Sequence, residues 1–187
     1  MQSLQHHLLI AMPALNHSFF EKAVIYLCNH NAQGAMGLMI NQPIGFDINF
    51  LLSKMDSSEP YTKSEVHNQD VLVGGPVMTE RGFVLHTTNE MTWTETQVVA
   101  PNLSMTTSHD VLQALGSYKS PQQYLITLGY SGWAPQQLEQ EIAANTWLTS
   151  PADHELLFDI PLKDRWQEAT KRIGFNPVKL SSDIGHA

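Results

Sequence analysis

The chain has 187 residues, of which 42% are hydrophobic, and its 18 acidic and 10 basic side chains give a formal net charge of -8. This composition is typical of a globular protein and excludes an intrinsically disordered one. Because nucleic acids and anionic membranes are bound through clustered Lys and Arg, the charge disfavours both as partners.

Redox and targeting signals indicate a cytoplasmic protein. The single cysteine, Cys28, excludes an intramolecular disulfide and a zinc site built on cysteines. No Lys or Arg precedes Lys22, so the N-terminus lacks the charged region of a signal peptide. The apolar stretches 8–12 and 23–28 are far shorter than the ~20 residues of a membrane-spanning helix. We therefore expect no association with a membrane.

Buried strands and one short helix are predicted in the first third of the chain. The predicted strands are 7–12, 23–29 and 35–41. The Gly-containing connection 31–34 predicts an antiparallel hairpin between the second and third. Asp47 is predicted to cap a helix whose apolar face ends at Met55, and the polar stretch 56–68 is predicted to be a surface loop.

Strands and helices alternate through the rest of the chain. The predicted strands are 71–73, 82–87, a short one at 98–99, 103–106, 124–128 and 155–158. Three helices are predicted: one capped by Ser108, one with Pro135 in its first turn, and one from about Pro161 to Gly174.

These elements predict an α/β (mixed α+β) fold. Strands outnumber helices, and both hairpin and crossover connections are indicated, which favours a mixed, partly antiparallel sheet flanked by helices. We expect a single compact domain over 1–187, with an ordered core of about 5–175 and a flexible tail at 176–187. The order of the strands stays open.

Several short motifs follow one another in a familiar order. They are Leu9-Ile10-Ala11-Met12-Pro13, Gly34-Ala35-Met36-Gly37-Leu38, Gly74-Gly75-Pro76-Val77, Gly129-Tyr130-Ser131-Gly132-Trp133 and Asn145-Thr146-Trp147. In this order, across about 7–175, they resemble the YqgE/AlgH family of bacterial proteins. The resemblance implies a compact α/β protein with a mixed sheet and a link to transcriptional regulation, and it implies no catalytic residue.

The Gly74-Gly75-Pro76 turn is the first candidate binding element. Glycines let backbone N–H groups approach an anion, and Arg81 lies nearby in the sequence as its one obvious basic partner. A tight turn that only glycine permits explains the same residues. Neither the P-loop nor the dinucleotide-binding glycine spacing is present, which favours the turn.

The Gly129–Trp133 segment is the second candidate, predicted as a loop between a strand and a helix. Tyr130 and Trp133 could form the walls of a pocket there, or they could be a core aromatic pair beside a turn. A serine nucleophile elbow is disfavoured, because the glycine it needs two residues after Ser131 is replaced by Trp133.

Structural roles best explain most of the other polar residues. The Asn41 amide could bind a ligand or satisfy nearby backbone groups, and His86 on its strand is best explained as a structural histidine. Cys28 in an apolar run is typical of a small core residue. The nine histidines lack metal-ligand spacing, so no metal and no cofactor are predicted. Glu139 and Glu141 do not share a helix face and are interpreted as structural.

The basic residues near the C-terminus do not form a DNA-binding surface. The last helix carries four bases interleaved with Asp164 and Glu168, which is typical of a solvated helix, and no helix-turn-helix pattern is present. The four are Lys163, Arg165, Lys171 and Arg172. A direct DNA-binding regulator is thus the weakest of three hypotheses.

The first hypothesis is a non-enzymatic factor with an indirect regulatory role that binds a small anionic ligand or a protein. The second is an enzyme of unknown reaction acting on a small anionic or nucleotide-like substrate. A shallow apolar groove would favour the first, and a basic cleft with a perturbed His or Cys the second. A monomer and a homodimer both stay open. The candidate pocket consists of Asn41, Gly74, Gly75, Arg81, His86, Tyr130 and Trp133.

Overall fold

A computed structural model of the protein describes residues 2–55 and 68–175. The tail predicted at 176–187 and nearly all of the loop predicted at 56–68 lie outside these described residues. The strands are β1 His7–Ala11, β2 Val24–Asn31, β3 Gly34–Met39, β4 Pro43–Asp47, β5 Asp70–Val73, β6 Val77–Thr87, β7 Thr96–Ala100, β8 Leu103–Thr106, β9 Tyr124–Trp133 and β10 Trp147–Pro151. The α-helices are α1 Ile48–Lys54, α2 Asp110–Ala114, α3 Gln137–Ala143 and α4 Leu162–Arg172.

The strands form one curled, largely antiparallel sheet in the order β10-β1-β2-β3-β9-β6-β8-β7. The predicted hairpin is the antiparallel pair β2–β3, in which Asn31 faces Gly34. Strand β5 lies off this path and pairs with β4 antiparallel and with β9 in parallel. The predicted mixed, partly antiparallel sheet with helices is therefore confirmed in outline.

Each group of helices covers a different part of the sheet. Helix α4 packs on a core of β1, β2 and β6 residues, to which it contributes Ala169. Helices α1 and α2 cover a second core through residues such as Ile48 and Val111. Helix α3 covers a third core through Leu138. Because every helix buries an apolar stripe against strands, the helices depend on the sheet for their stability.

Strand β9 joins the two halves of the sheet, which are β10-β1-β2-β3 on one side and β6-β8-β7 on the other. One of its edges pairs with β6 from Tyr124 to Tyr130. Its other edge pairs first with β5, where Thr127 faces Leu72, and then with β3, where Ser131 faces Gly37.

Gly74 lies where the partner of β9 changes from β5 to β3. Its N–H donates to the Leu128 carbonyl at 2.8 Å, and its carbonyl accepts from the Met39 N–H at 2.9 Å. Gly74 thus links strands from both halves. We call the backbone around Gly74 and Gly75 the glycine junction.

The glycine junction has no room for side chains. A Cβ on Gly74 would meet the Gly129 carbonyl and the Thr127 side chain, and a Cβ on Gly75 would meet the backbone of Tyr130. Backbone atoms cannot move aside as the end of a flexible side chain can. Glycine is therefore required here by the close approach of neighbouring strands.

Several predicted elements are wrong in kind or extent. The strand predicted at 155–158 is a π-helical turn, Glu155–Asp159, which brings the adjacent Leu156 and Leu157 into the core together. Strands β4 and β10 were not predicted. The helix expected to have Pro135 in its first turn begins at Gln137.

A second helix start also differs from the prediction. Helix α2 begins at Asp110, and the Ser108 hydroxyl bonds the carboxylate of Asp110 and does not cap the helix backbone. The Asp110 carboxylate accepts the Val111 N–H at 2.9 Å. Because these hydrogen bonds favour the charged form, they outweigh burial and lower the pKa of Asp110.

A matched pair of glycine substitutions tests the glycine junction. Gly75→Ala forces a methyl group into the backbone of β9 and is expected to lower the free energy of unfolding by at least ~2 kcal/mol. Gly82→Ala is the control, because nothing lies within 4 Å of its Cβ position, and its effect should stay within ~0.5 kcal/mol. Urea unfolding measures both variants. Equal losses would show that the approach of the strands at Gly75 is unimportant.

Candidate functional site

A bulge in β6 shapes the sheet surface between two cavities. Val77 pairs with Tyr130 and Gly82 pairs with Leu128, so residues 78–81 of β6 stand opposite the single residue Gly129. Gly129 has a left-handed φ of +73°, and a Cβ there would lie 2.6 Å from the Gly75 carbonyl oxygen. Such bulges commonly re-aim side chains beside binding sites.

A cavity of about 690 Å³ lies on one side of this bulge and crosses five adjacent strands, β3, β9, β6, β8 and β7. We call it the sheet groove. Its apolar lining consists mainly of three methionines and three aromatic residues. They are Met36, Met78, Met105, Phe83, Tyr130 and Trp133.

A second cavity of about 750 Å³ lies on the other side of the bulge and is floored by apolar residues of α1, α2 and β9. Met78, Arg81 and Thr107 line both cavities, so the bulge is their common wall. Met78 has a left-handed φ of +49° and is 54% exposed. Met78 therefore presents its apolar side chain to solvent at the boundary of the two cavities.

The charge of Arg81 is already compensated within the sheet groove. Its Nη2 donates to Glu95 Oε2 at 3.3 Å and to Thr107 Oγ1 at 3.2 Å, and its guanidinium lies 5.9 Å from the centre of the Phe83 ring. Thr107 Oγ1 donates to the same Glu95 oxygen at 2.5 Å. An anion that approached Arg81 would therefore compete with Glu95.

The structure brings three of the predicted pocket residues together. Arg81, Tyr130 and Trp133 all line the sheet groove. The segment containing Tyr130 and Trp133 is the end of strand β9, however, and not the predicted loop. Tyr130 packs edge-to-face on Phe83, with ring centres 5.7 Å apart.

Gly74 and Gly75 lie behind the sheet groove, in the glycine junction. The space that a side chain would take at either position is filled by the backbone of β9. The carbonyl of Gly74 also accepts the Ser131 hydroxyl at 3.3 Å. This placement fits the alternative in which the glycines serve backbone packing.

Asn41 lies elsewhere, at the end of β3. Its Oδ1 accepts the Val24 N–H at 2.8 Å and its Nδ2 donates to the Lys22 carbonyl at 2.8 Å. The amide thus satisfies backbone groups, as the structural alternative requires, and it borders a separate cavity beside α4.

His86 is buried within the sheet and away from the sheet groove. Its Nδ1 is 3.0 Å from the Thr87 carbonyl oxygen and its Nε2 is 2.9 Å from Thr106 Oγ1, so both ring nitrogens have partners. Burial lowers the pKa of His86, although the Thr87 carbonyl opposes this shift. This environment holds a neutral imidazole, which suits the structural interpretation of His86.

Cys28 is also buried, and burial raises the pKa of its thiol. A protonated thiol without access to solvent is a poor nucleophile. Among the described residues, no group of three or more His, Cys, Asp and Glu side chains is arranged to hold a metal ion.

Glu141 is a positioning residue that the sequence did not reveal as such. Its Oε2 accepts the indole N–H groups of Trp133 and Trp147, both at 2.8 Å, and its Oε1 accepts from Gln137 Nε2 at 2.9 Å. The carboxylate therefore fixes Trp133 at the end of the sheet groove. Spacing cannot reveal this contact, because the two indoles come from separate strands, β9 and β10.

Comparison with known proteins identifies the family. The family model described as AlgH-like matches residues 8–178. The chain belongs to the AlgH-like family. Curated AlgH-like relatives named UPF0301 protein, from Shewanella loihica and Shewanella woodyi, are each 54% identical over 187 residues, which is 100% of this chain and of each relative.

Two solved structures share the fold of this AlgH-like chain. The solution structure of the AlgH protein from Pseudomonas aeruginosa has 43% sequence identity and a TM-score of 0.77, and covers 100% of this chain and 97% of its own. A crystal structure of a Corynebacterium diphtheriae protein, at 18% identity and a TM-score of 0.71 over 92% of this chain and 88% of its own, shows the fold alone. Within 2–55 and 68–175, no helix is long and apolar enough to cross a membrane.

Replacing Glu141 tests its role at the sheet groove. Glu141→Ala leaves two largely buried indole N–H groups without their acceptor, and we expect the free energy of unfolding to fall by about 3 kcal/mol. Gln140→Ala, at an exposed position of the same helix, should change it by less than ~0.5 kcal/mol. Urea unfolding followed by tryptophan fluorescence measures both. Equal stability of the two variants would contradict this role.

Proposed function

We propose that this AlgH-like protein is a non-enzymatic factor that binds an apolar, basic segment of another protein in the sheet groove. Its regulatory effect would then be indirect, exerted through the partner. The proposal rests on the methionine- and aromatic-rich lining of the groove. Among the described residues of this lining, Arg81 is the only basic one, and it already has a carboxylate partner.

The lining of the groove suits a protein partner. Met36 is half-buried and Met78 is exposed, and both are flexible and polarizable, so they adapt to apolar side chains of different shapes. The half-buried Tyr130 ring, which packs on the buried Phe83, adds rigid aromatic surface beside them. Methionine and aromatic residues are enriched where proteins bind each other.

Charge complementarity favours a basic segment. Arg81 and Glu95 form an ion pair across the groove, with side chains that are 46% and 56% exposed. With a net charge of -8 over the whole chain, Lys or Arg in the partner would be attracted, and an anion would be repelled.

The enzyme hypothesis finds less support at this groove. Neither His nor Cys occurs among the described residues that line it. His86 and Cys28 are both buried elsewhere, with pKa shifts that favour their neutral forms. A groove whose described carboxylate, Glu95, is already paired with Arg81 is better suited to binding than to catalysis.

Two peptides with the same Leu- and Phe-containing core, flanked by Lys in one and by Glu in the other, test this proposal. Fluorescence polarisation should show that the Lys-flanked peptide binds and that the Glu-flanked one binds at least ~10-fold more weakly. Met78→Asp should weaken binding of the Lys-flanked peptide by at least ~10-fold, because it places a charge on the apolar wall of the groove. Asp also tolerates the left-handed backbone of Met78.

Met91→Asp is the matched control. Met91 is an exposed methionine that does not line the groove, so its replacement should leave peptide affinity unchanged. The proposal is wrong if neither peptide binds, if the Glu-flanked peptide binds as well, or if the two methionine variants lose affinity equally.

A further inference from the structure

We propose a second binding site, for a small organic anion that carries an aromatic ring, in a cavity between α4 and the turn that precedes β2. The nucleoside phosphates are the class of ligand that fits this description. The cavity is separate from the sheet groove and shares none of its lining residues. The inference therefore does not rest on the proposed protein-binding function.

The cavity has a volume of about 620 Å³ and follows two adjacent rows of α4. The first row is Leu162, Trp166 and Thr170, and the second is Lys163, Gln167 and Lys171. Residues four apart lie on one helix face, so Lys163 and Lys171 border the same cavity two turns apart. Lys22 and Asn41 line it as well. A volume of this size is typical of small-molecule sites.

This cavity is lined by positive charge, whereas the chain as a whole is negatively charged. Lys22, Lys163 and Lys171 supply three of the ten basic residues of the chain, and no acid is among the described residues that line the cavity. Lys22 and Lys163 form no ion pair with any residue in the described part of the chain. Lys171 is 3.7 Å from Glu168 and largely exposed. Positive charge is thus available here, whereas at Arg81 it is already compensated.

Lys22 is held in place by its neighbours. Its backbone has a left-handed φ of +52°, a conformation that costs a residue other than glycine of order 1 kcal/mol. Two amides at the end of β3 hold this turn: Asn41 Nδ2 donates to the Lys22 carbonyl at 2.8 Å, and Gln42 Nε2 donates to the Glu21 carbonyl at 3.0 Å. Asn41 is therefore a positioning residue for the Lys22 backbone at this cavity.

Two half-buried aromatic residues supply the surface for a ring. Trp166 donates its indole N–H to the Ala11 carbonyl at 3.0 Å, so this polar group already has a partner and the indole offers apolar surface. Phe175 lines the cavity as well. The lysines can bind an anionic group, and the aromatic residues can pack against a planar ring. A ligand that has both groups would use both parts of the cavity.

Calorimetric titration with adenosine 5′-monophosphate tests the site. Adenosine and inorganic phosphate, the two parts of this nucleotide, are titrated separately for comparison. The nucleotide should bind at least ~10-fold more tightly than either half. Lys163→Gln should weaken nucleotide binding by about 10-fold. Lys22→Gly should have the same effect, because it removes the charge, and glycine suits the left-handed backbone at this position. Because Lys22→Gly relieves backbone strain, it should not lower stability.

Lys119→Gln is the matched control, since Lys119 lies over the Tyr118 ring and outside this cavity. It should bind the nucleotide as the wild type does. The inference is overturned if the nucleotide does not bind at about 1 mM, or if phosphate binds as tightly as the nucleotide. It is also overturned if Lys163→Gln and Lys119→Gln lose affinity equally. None of these results would affect peptide binding at the sheet groove.

Discussion

The backbone hydrogen bonds of Gly74 reinforce the point at which strand β9 joins the two halves of the sheet. Its N–H bonds to Leu128 of β9 and its carbonyl bonds to Met39 of β3, at the point where β9 changes partners. The strands can come this close only because Gly74, Gly75 and Gly129 carry no side chains. Each helix packs on one part of the sheet that this junction helps to join.

The same constraint produces the candidate site. Gly129 takes a left-handed conformation against the Gly75 carbonyl, and β6 accommodates it with a bulge that exposes Met78 and Arg81. The bulge separates two cavities, one of which crosses the curled sheet. Glu141 then fixes Trp133 at the end of that groove through its indole N–H. The concave surface is therefore built by backbone geometry and lined by adaptable apolar side chains.

Sequence patterns predicted the strands whose burial is visible locally, including the β2–β3 hairpin. They missed β10, whose partner β1 is far away in sequence, and they mistook the π-helical turn for a strand because Leu156-Leu157 is apolar in either structure. Arg81, Tyr130 and Trp133 were predicted in one pocket and do meet there. The cluster of Lys22 with the α4 lysines was missed, because only the fold brings it together.

Hydrogen exchange at the Gly74 amide tests the central claim, that the glycine junction is as stable as the fold itself. The Ala11 amide, which donates to the Ala23 carbonyl inside the sheet, is the reference. We predict that both amides exchange only through global unfolding, with opening free energies that agree within ~1 kcal/mol. Exchange of the Gly74 amide through local opening, many times faster than that of Ala11, would show that the glycine junction opens independently of the rest of the sheet and would contradict this account.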